Sequence, residues 1–176
     1  MKTLFLMTCL LFLTSCMDVD NFGDYWEKGT VDRYMLGKWD LARDRNKVSI
    51  VVTEDRGMYL MTYNTQEKYV ARTVQIGSYT FFMAKETKYR NRNSGVIVRY
   101  AVIDGKVTLY EFDFAALAEF LKAKYPNQQE IYDTPEGGGS GGLTIRVLND
   151  EVVKILSEIP DTDQYWRKSD EYIPIS

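Results

Sequence analysis

The sequence predicts a mainly β protein of the α+β kind. The expected body is an antiparallel meander of seven to eight strands, curled into a sheet or barrel, with two short helices in its C-terminal third. Three observations predict it. Short segments of alternating or β-branched character follow one another from Gly37 to Phe112. Gly77-Ser78 and Asp104-Gly105 separate pairs of these segments as two-residue loops, which suit hairpin turns of types II′ and I′. Only after Phe112 does the apolar spacing become helical.

Lys38–Arg43 is the first expected strand, carrying Trp39 and Leu41, and Asp44-Arg45-Asn46 turns the chain. Lys47–Thr53 is β-branched at Val48, Ile50 and Val52, and Gly57 closes the next turn. Met58–Tyr63, Tyr69–Ile76, Tyr79–Ala84, Val96–Ile103 and Lys106–Phe112 complete seven strands, each antiparallel to its predecessor because short loops join them. Asp113 is placed to cap a helix over Phe114–Lys124, whose apolar stripe is Phe114, Leu117, Ala118, Leu121 and Tyr125, and Pro126 stops it. Asn127 to Gly142 reads as a polar loop and Leu143–Leu148 as an eighth strand. Asn149 caps a second short helix with Val152, Val153, Leu156 and Ile159 on one face, ended by Pro160. The residues from Asp161 onward read as irregular, with Tyr165 and Trp166 as docking points.

The N-terminus has its own logic. Lys2 is a short positive region, Leu4 to Leu13 an apolar run, and Thr14-Ser15 a pair of small residues before Cys16. About ten apolar residues are too few to span a bilayer, which takes roughly 20. Leu13-Thr14-Ser15-Cys16 resembles the lipobox of bacterial lipoproteins. That resemblance implies cleavage before Cys16 and lipidation of Cys16 by a thioether diacylglycerol with an amide-linked acyl chain such as palmitate. Two or more chains hold a protein stably on a membrane where one does not. Met17 rather than an acid after the cysteine favours the outer membrane, facing the periplasm, over the inner one. The domain reading is therefore a signal peptide at 1–15, a tether at 16–31 whose Trp26 is expected to dock onto the domain, and a single β-rich domain at 32–176.

Composition limits the chemistry. Cleavage would leave 161 residues, enough for one domain with its own core. It would remove Lys2 alone among the charged side chains, leaving 21 basic against 25 acidic residues, which argues against a nucleic-acid partner. Cys9 would leave with the signal and Cys16 would be taken by lipid, so no disulfide is available. The sequence contains no histidine. That excludes Ser-His-Asp and Cys-His nucleophiles, and with no free thiol it excludes ordinary zinc, copper and haem ligation. No cofactor and no metal site is expected.

Several local patterns dissolve on inspection. Gly138-Gly139-Ser140-Gly141-Gly142 matches a nucleophile elbow in letters only, because the strand-turn-helix setting and the histidine are missing. Asp161, Asp163, Asp170 and Glu171 lack the spacing of a calcium loop. Glu111 and Asp113 are a carboxylate pair of the kind glycosidases use, and any acidic chain offers such pairs.

Two groups remain as candidate contact residues. Lys88, Tyr89, Arg90 and Arg92, with Lys85 nearby, form a basic strand-to-strand tip suited to an anionic partner or to a solvated surface. Trp39, Tyr59 and Tyr63, with Met61, Phe81 and Tyr100, suit either a lined cavity or a packed core. Gly37-Lys38-Trp39 resembles the Gly-x-Trp that opens the first strand of lipocalins and lipocalin-like lipoproteins. That resemblance implies a β-barrel that carries a small apolar ligand.

The expected function is that of a lipid-anchored envelope lipoprotein whose domain is not an enzyme and binds a protein partner, as an adaptor or an immunity protein does. The alternatives are a lipocalin-like carrier or sensor of a small apolar ligand and, third, a hydrolase using carboxylates alone.

Overall fold

The computed structural model describes residues 17–42, 49–63, 66–126, 132–133 and 144–175. Cys16, the Asp44-Arg45-Asn46 turn and the Gly138–Gly142 cluster lie outside them.

The strands are β1 Met17–Val19, β2 Gly37–Leu41, β3 Ser49–Asp55, β4 Met58–Tyr63, β5 Gln66–Ile76, β6 Tyr79–Glu86, β7 Gly95–Ile103, β8 Lys106–Phe112, β9 Tyr132–Asp133, β10 Thr144–Ile145 and β11 Trp166–Ile175. Among the described residues three α-helices accompany them: α1 Tyr25–Lys28, α2 Phe114–Lys124 and α3 Asp150–Ser157. Strands β2 to β8 pair antiparallel in chain order, and β11 pairs with both β8 and β2. The result is a closed eight-stranded antiparallel barrel, as the meander predicts.

The tight turns form where the sequence marks them. Asp104 and Gly105 both have positive φ, 50° and 75°, as a type I′ hairpin requires. This turn, the Arg56-Gly57 turn and the Gly77-Ser78 turn share one end of the barrel, here the turn end; the longer connections occupy the opposite, loop end. Asp113 caps α2 by accepting from Ala116 N at 3.0 Å, and Asn149 caps α3 by accepting from Val152 N at 2.9 Å.

Two expectations need correction. The eighth barrel strand is not in Leu143–Leu148; among the described residues of that stretch only Thr144–Ile145 is extended, and it pairs outside the barrel with β1 and β9. The closing strand is β11, in the stretch read as irregular. A register shift between Lys168 and Glu171 breaks its period of two, and Pro174 weakens its strand signal further.

The second correction concerns residues 16–31. From Met17 onward this segment is no loose tether. β1 pairs with β7 through Met17–Ile97 and Val19–Gly95, and Met17, Val19, Phe22 and Trp26 are buried. These four apolar residues dock the segment onto the barrel wall.

Two apolar clusters share the barrel wall. One lines the interior around Trp39, Leu41, Val52, Tyr59, Phe82, Tyr100, Val107 and Tyr172. The other lies outside, where Val74, Phe81, Met83, Ile97, Phe112 and Trp166 meet β1, α2 and α3. The strand β6 is therefore buried on both faces, and Phe81 and Phe82 face opposite cores.

A candidate ligand cavity inside the barrel

The barrel interior is not filled. A cavity of about 120 Å³ lies among Trp39, Val52, Met61, Phe82, Val98 and Leu109, and Met35 and Tyr172 also line it. Its wall is almost wholly hydrocarbon and aromatic, with Asp170 as the one acidic side chain on it. This space is close to the roughly 150 Å³ known to stay dry and admit benzene when lined by apolar side chains.

The turn end is closed by the segment from Thr30 to Leu36. Thr30 and Thr73 form an isolated bridge, with Thr30 N donating to Thr73 O at 2.9 Å and Thr73 N to Thr30 O at 2.7 Å. Asp32 N donates to the Tyr59 hydroxyl at 2.5 Å, and that hydroxyl reaches Thr73 Oγ1 at 3.0 Å. Thr73 Oγ1 in turn meets the Tyr100 hydroxyl at 3.1 Å. Burial raises the pKa of both phenols, so they stay protonated as hydrogen-bonding groups. Asp32 also caps a 3₁₀ turn over Arg33–Met35, and Trp39 Nε1 donates to Met35 O at 3.0 Å. The same turn thus holds Met35 over the cavity and Tyr34 out in solvent. The lining residues Ile50, Met61, Tyr69, Ala84 and Val96 carry the space toward the loop end.

The candidate contact residues separate by location. Trp39 lines the cavity, Tyr59 latches its closed end, and Tyr63 packs against the interior cluster. Phe81 faces away, against Trp166 at 6.0 Å between ring centroids. Met35 and Asp170 are lining residues that sequence reasoning missed. Met35 precedes the first expected strand, and Asp170 sits where the bulge hides the alternation of β11.

Two cations of the basic tip are ion-paired. Lys88 pairs with Glu86 at 2.6 Å and Arg90 approaches Asp55 at 3.7 Å. Lys88 and Arg92 also stack on the Tyr89 ring, at 4.8 Å and 4.4 Å. Lys85 belongs to β6 and is buried, 3.7 Å from the Trp26 ring, and burial lowers its pKa to about 8. The other charge patterns resolve into structural pairs. Asp113 binds Arg167 and caps α2, Asp161 pairs with Arg99 at 2.8 Å, and Glu171 pairs with Lys168 at 2.7 Å. Arg99 is itself buried among the rings of Tyr79, Tyr110 and Trp166, so the Asp161 pair fastens the connection between α3 and β11 to the outer core.

No helix among the described residues is long and apolar enough to cross a membrane. Compared with protein-family models, curated proteins and solved structures, the chain matches none of them.

Proposed function

We propose that this protein is a lipid-anchored binder of a small apolar molecule, held at the bacterial envelope through Cys16 and taking its ligand inside the barrel. The observation that carries the reading is the 120 Å³ apolar space within a closed barrel. A protein evolved only to present an outer surface gains nothing from such a void, because unfilled volume in a core is destabilising. The sequence alone ranked a protein partner first; the cavity favours the carrier reading. A ligand of this size is a single small aromatic ring or a short stretch of alkyl chain, and the cavity is too small for a sterol. The Gly37-Lys38-Trp39 resemblance supports the same reading, with Trp39 at the cavity wall. The lipobox resemblance at Leu13–Cys16 supports the anchor. Binding rather than catalysis is supported by the absence of histidine from the sequence.

The test is titration of the full chain with benzene and with 1-hexanol, followed by NMR. Saturable shifts are expected at the Trp39 indole N–H and at the methyl groups of Met61 and Leu109. Ala84→Leu, which puts three carbons into the space, should weaken binding at least about tenfold while leaving the melting temperature unchanged or higher. Absence of any saturable shift with both probes would sink the carrier reading.

A further inference from the structure

We propose that the cavity takes a small organic cation, a short alkyl or single-ring body carrying a protonated amine, with the ammonium held by Asp170. This inference rests on the carrier reading and adds the charge of the ligand's head group to it.

The first observation is how Asp170 comes to face the cavity. On β11, Trp166 packs in the outer core and Tyr172 in the inner one. They are six residues apart, so unbroken alternation would put both on one face. The register shift resolves this. Lys168 stands opposite Tyr110 and Glu171 opposite Thr108, which leaves Ser169 and Asp170 together against the single residue Leu109 of β8. An extra residue in a strand re-aims the side chains that follow it. Without it, Asp170 would share the outward face of Trp166. With it, Asp170 shares the inward face of Tyr172, and both line the cavity. Asp170 is 8% exposed there. Carrying a carboxylate into hydrocarbon surroundings costs free energy that an apolar residue at the same position would not.

The second observation is the make-up of the remaining wall. Among the described residues no lysine or arginine lines the cavity, whereas four aromatic residues do, Trp39, Tyr69, Phe82 and Tyr172. Aromatic faces attract cations, and an ionised carboxylate only accepts hydrogen bonds. Beyond the wall, acids and bases balance at both ends of the space. Asp32 and Arg33 precede Met35 at the turn end, and Glu86 and Glu111 stand with Lys68 and Arg167 at the loop end. Arg167 is bound by Asp113 and Glu86 by Lys88. The charge on the wall itself is therefore the acid of Asp170. A ring-lined space with one carboxylate favours an ammonium, accepts a neutral head less well and rejects an anion.

The experiment titrates the full chain with three probes of one chain length, hexylamine, 1-hexanol and hexanoate, followed by NMR at the Trp39 indole N–H and the Leu109 methyl groups. At about pH 7 hexylamine is a cation, as a lysine side chain is, and hexanoate an anion. Hexylamine is expected to bind at least about tenfold more tightly than 1-hexanol, since charge-assisted hydrogen bonds are the stronger ones. Hexanoate should bind more weakly than either. Asp170→Asn keeps the shape and removes the charge, so it should abolish the preference for the amine and leave the affinity for 1-hexanol unchanged. Saturable binding of 1-hexanol with no preference for hexylamine in the parent protein overturns the inference and leaves the carrier reading standing. So does a preference that survives in Asp170→Asn, because a carboxylate that only braced the bulge would change the melting temperature and not the ranking of the probes. Should that variant fail to fold, the ranking in the parent protein decides alone. Absence of saturable binding by all three probes overturns the carrier reading and this inference together.

Discussion

Single residues on the barrel wall work under tight steric and electrostatic terms. Gly95 sits where β7 meets both β6 and β1, and a Cβ there would lie 2.1 Å from the Ala84 carbonyl oxygen. The nearest atoms, the carbonyl oxygen and carbon of Ala84, are backbone and cannot swing aside. Gly95→Ala is expected to destabilise the fold by more than about 3 kcal/mol, read as a loss of melting temperature or of soluble protein. Lys85 makes the opposite kind of prediction. Its pKa is lowered from 10.5 to about 8 by burial, with Arg72 adding to the shift and Glu27 opposing it. The unfolded chain therefore binds the proton more tightly than the folded one between those values. Stability should rise as pH climbs from about 8 toward 10.5, by roughly 1–3 kcal/mol. Denaturant titrations of Lys85→Met should lack that rise and should show a more stable protein at pH 7. A flat profile in the parent protein would refute the assignment.

Elements show how the chain divides into readable and unreadable parts. Met58–Tyr63, Lys106–Phe112 and α2 were legible to the residue, because clean alternation, two turn residues and an Asp cap all agree there. β11 was not, because a bulge and a proline spoil its period. The docked segment from Met17 was legible only in part. Trp26 signalled docking, whereas β1 is three residues long and takes its conformation from β7. The cavity was half visible: Trp39 and Met61 stood out as aromatic and thioether positions on inward-facing strands. Met35 did not, since a 3₁₀ turn over a barrel end leaves no periodic trace. That turn is also the element whose movement can be tested. Tyr59→Phe deletes the hydroxyl that Asp32 N donates to and that touches Thr73. It should cost about 1–2 kcal/mol. It should also speed amide hydrogen exchange across Thr30–Leu36, with β3 and β4 unaffected. Faster exchange of bound benzene in the same variant would tie the turn to ligand passage.

At the scale of the whole molecule, the wall formed by β5, β6 and β7 is shared by two cores. Tertiary stability then depends on the outer layer as much as on the barrel. Trp166 is at the centre of the outer core, packed on Phe112 at 4.2 Å, Tyr79 at 5.2 Å and Phe81 at 6.0 Å between centroids. The layers are expected to unfold as one unit, so Trp166→Ala, costing about 3–5 kcal/mol, should move near-ultraviolet and far-ultraviolet circular dichroism together. Separate transitions would show two independent bodies.

The closure of the barrel also sets a timetable. β2 near the start of the domain is hydrogen-bonded to β11 at its end, Leu41 opposite Tyr172, and β1 waits for β7 and for β10. Each of these pairings joins residues far apart in the chain, and such distant closures make for folding in milliseconds to seconds rather than microseconds. A chain emerging N-terminus first therefore holds β1 without a partner until β7 appears, and β2 with one open edge until Trp166–Ile175 appears. Met17 stays accessible until β7 appears. The order of strands thus provides a window for the proposed processing before Cys16, ahead of the burial of Met17.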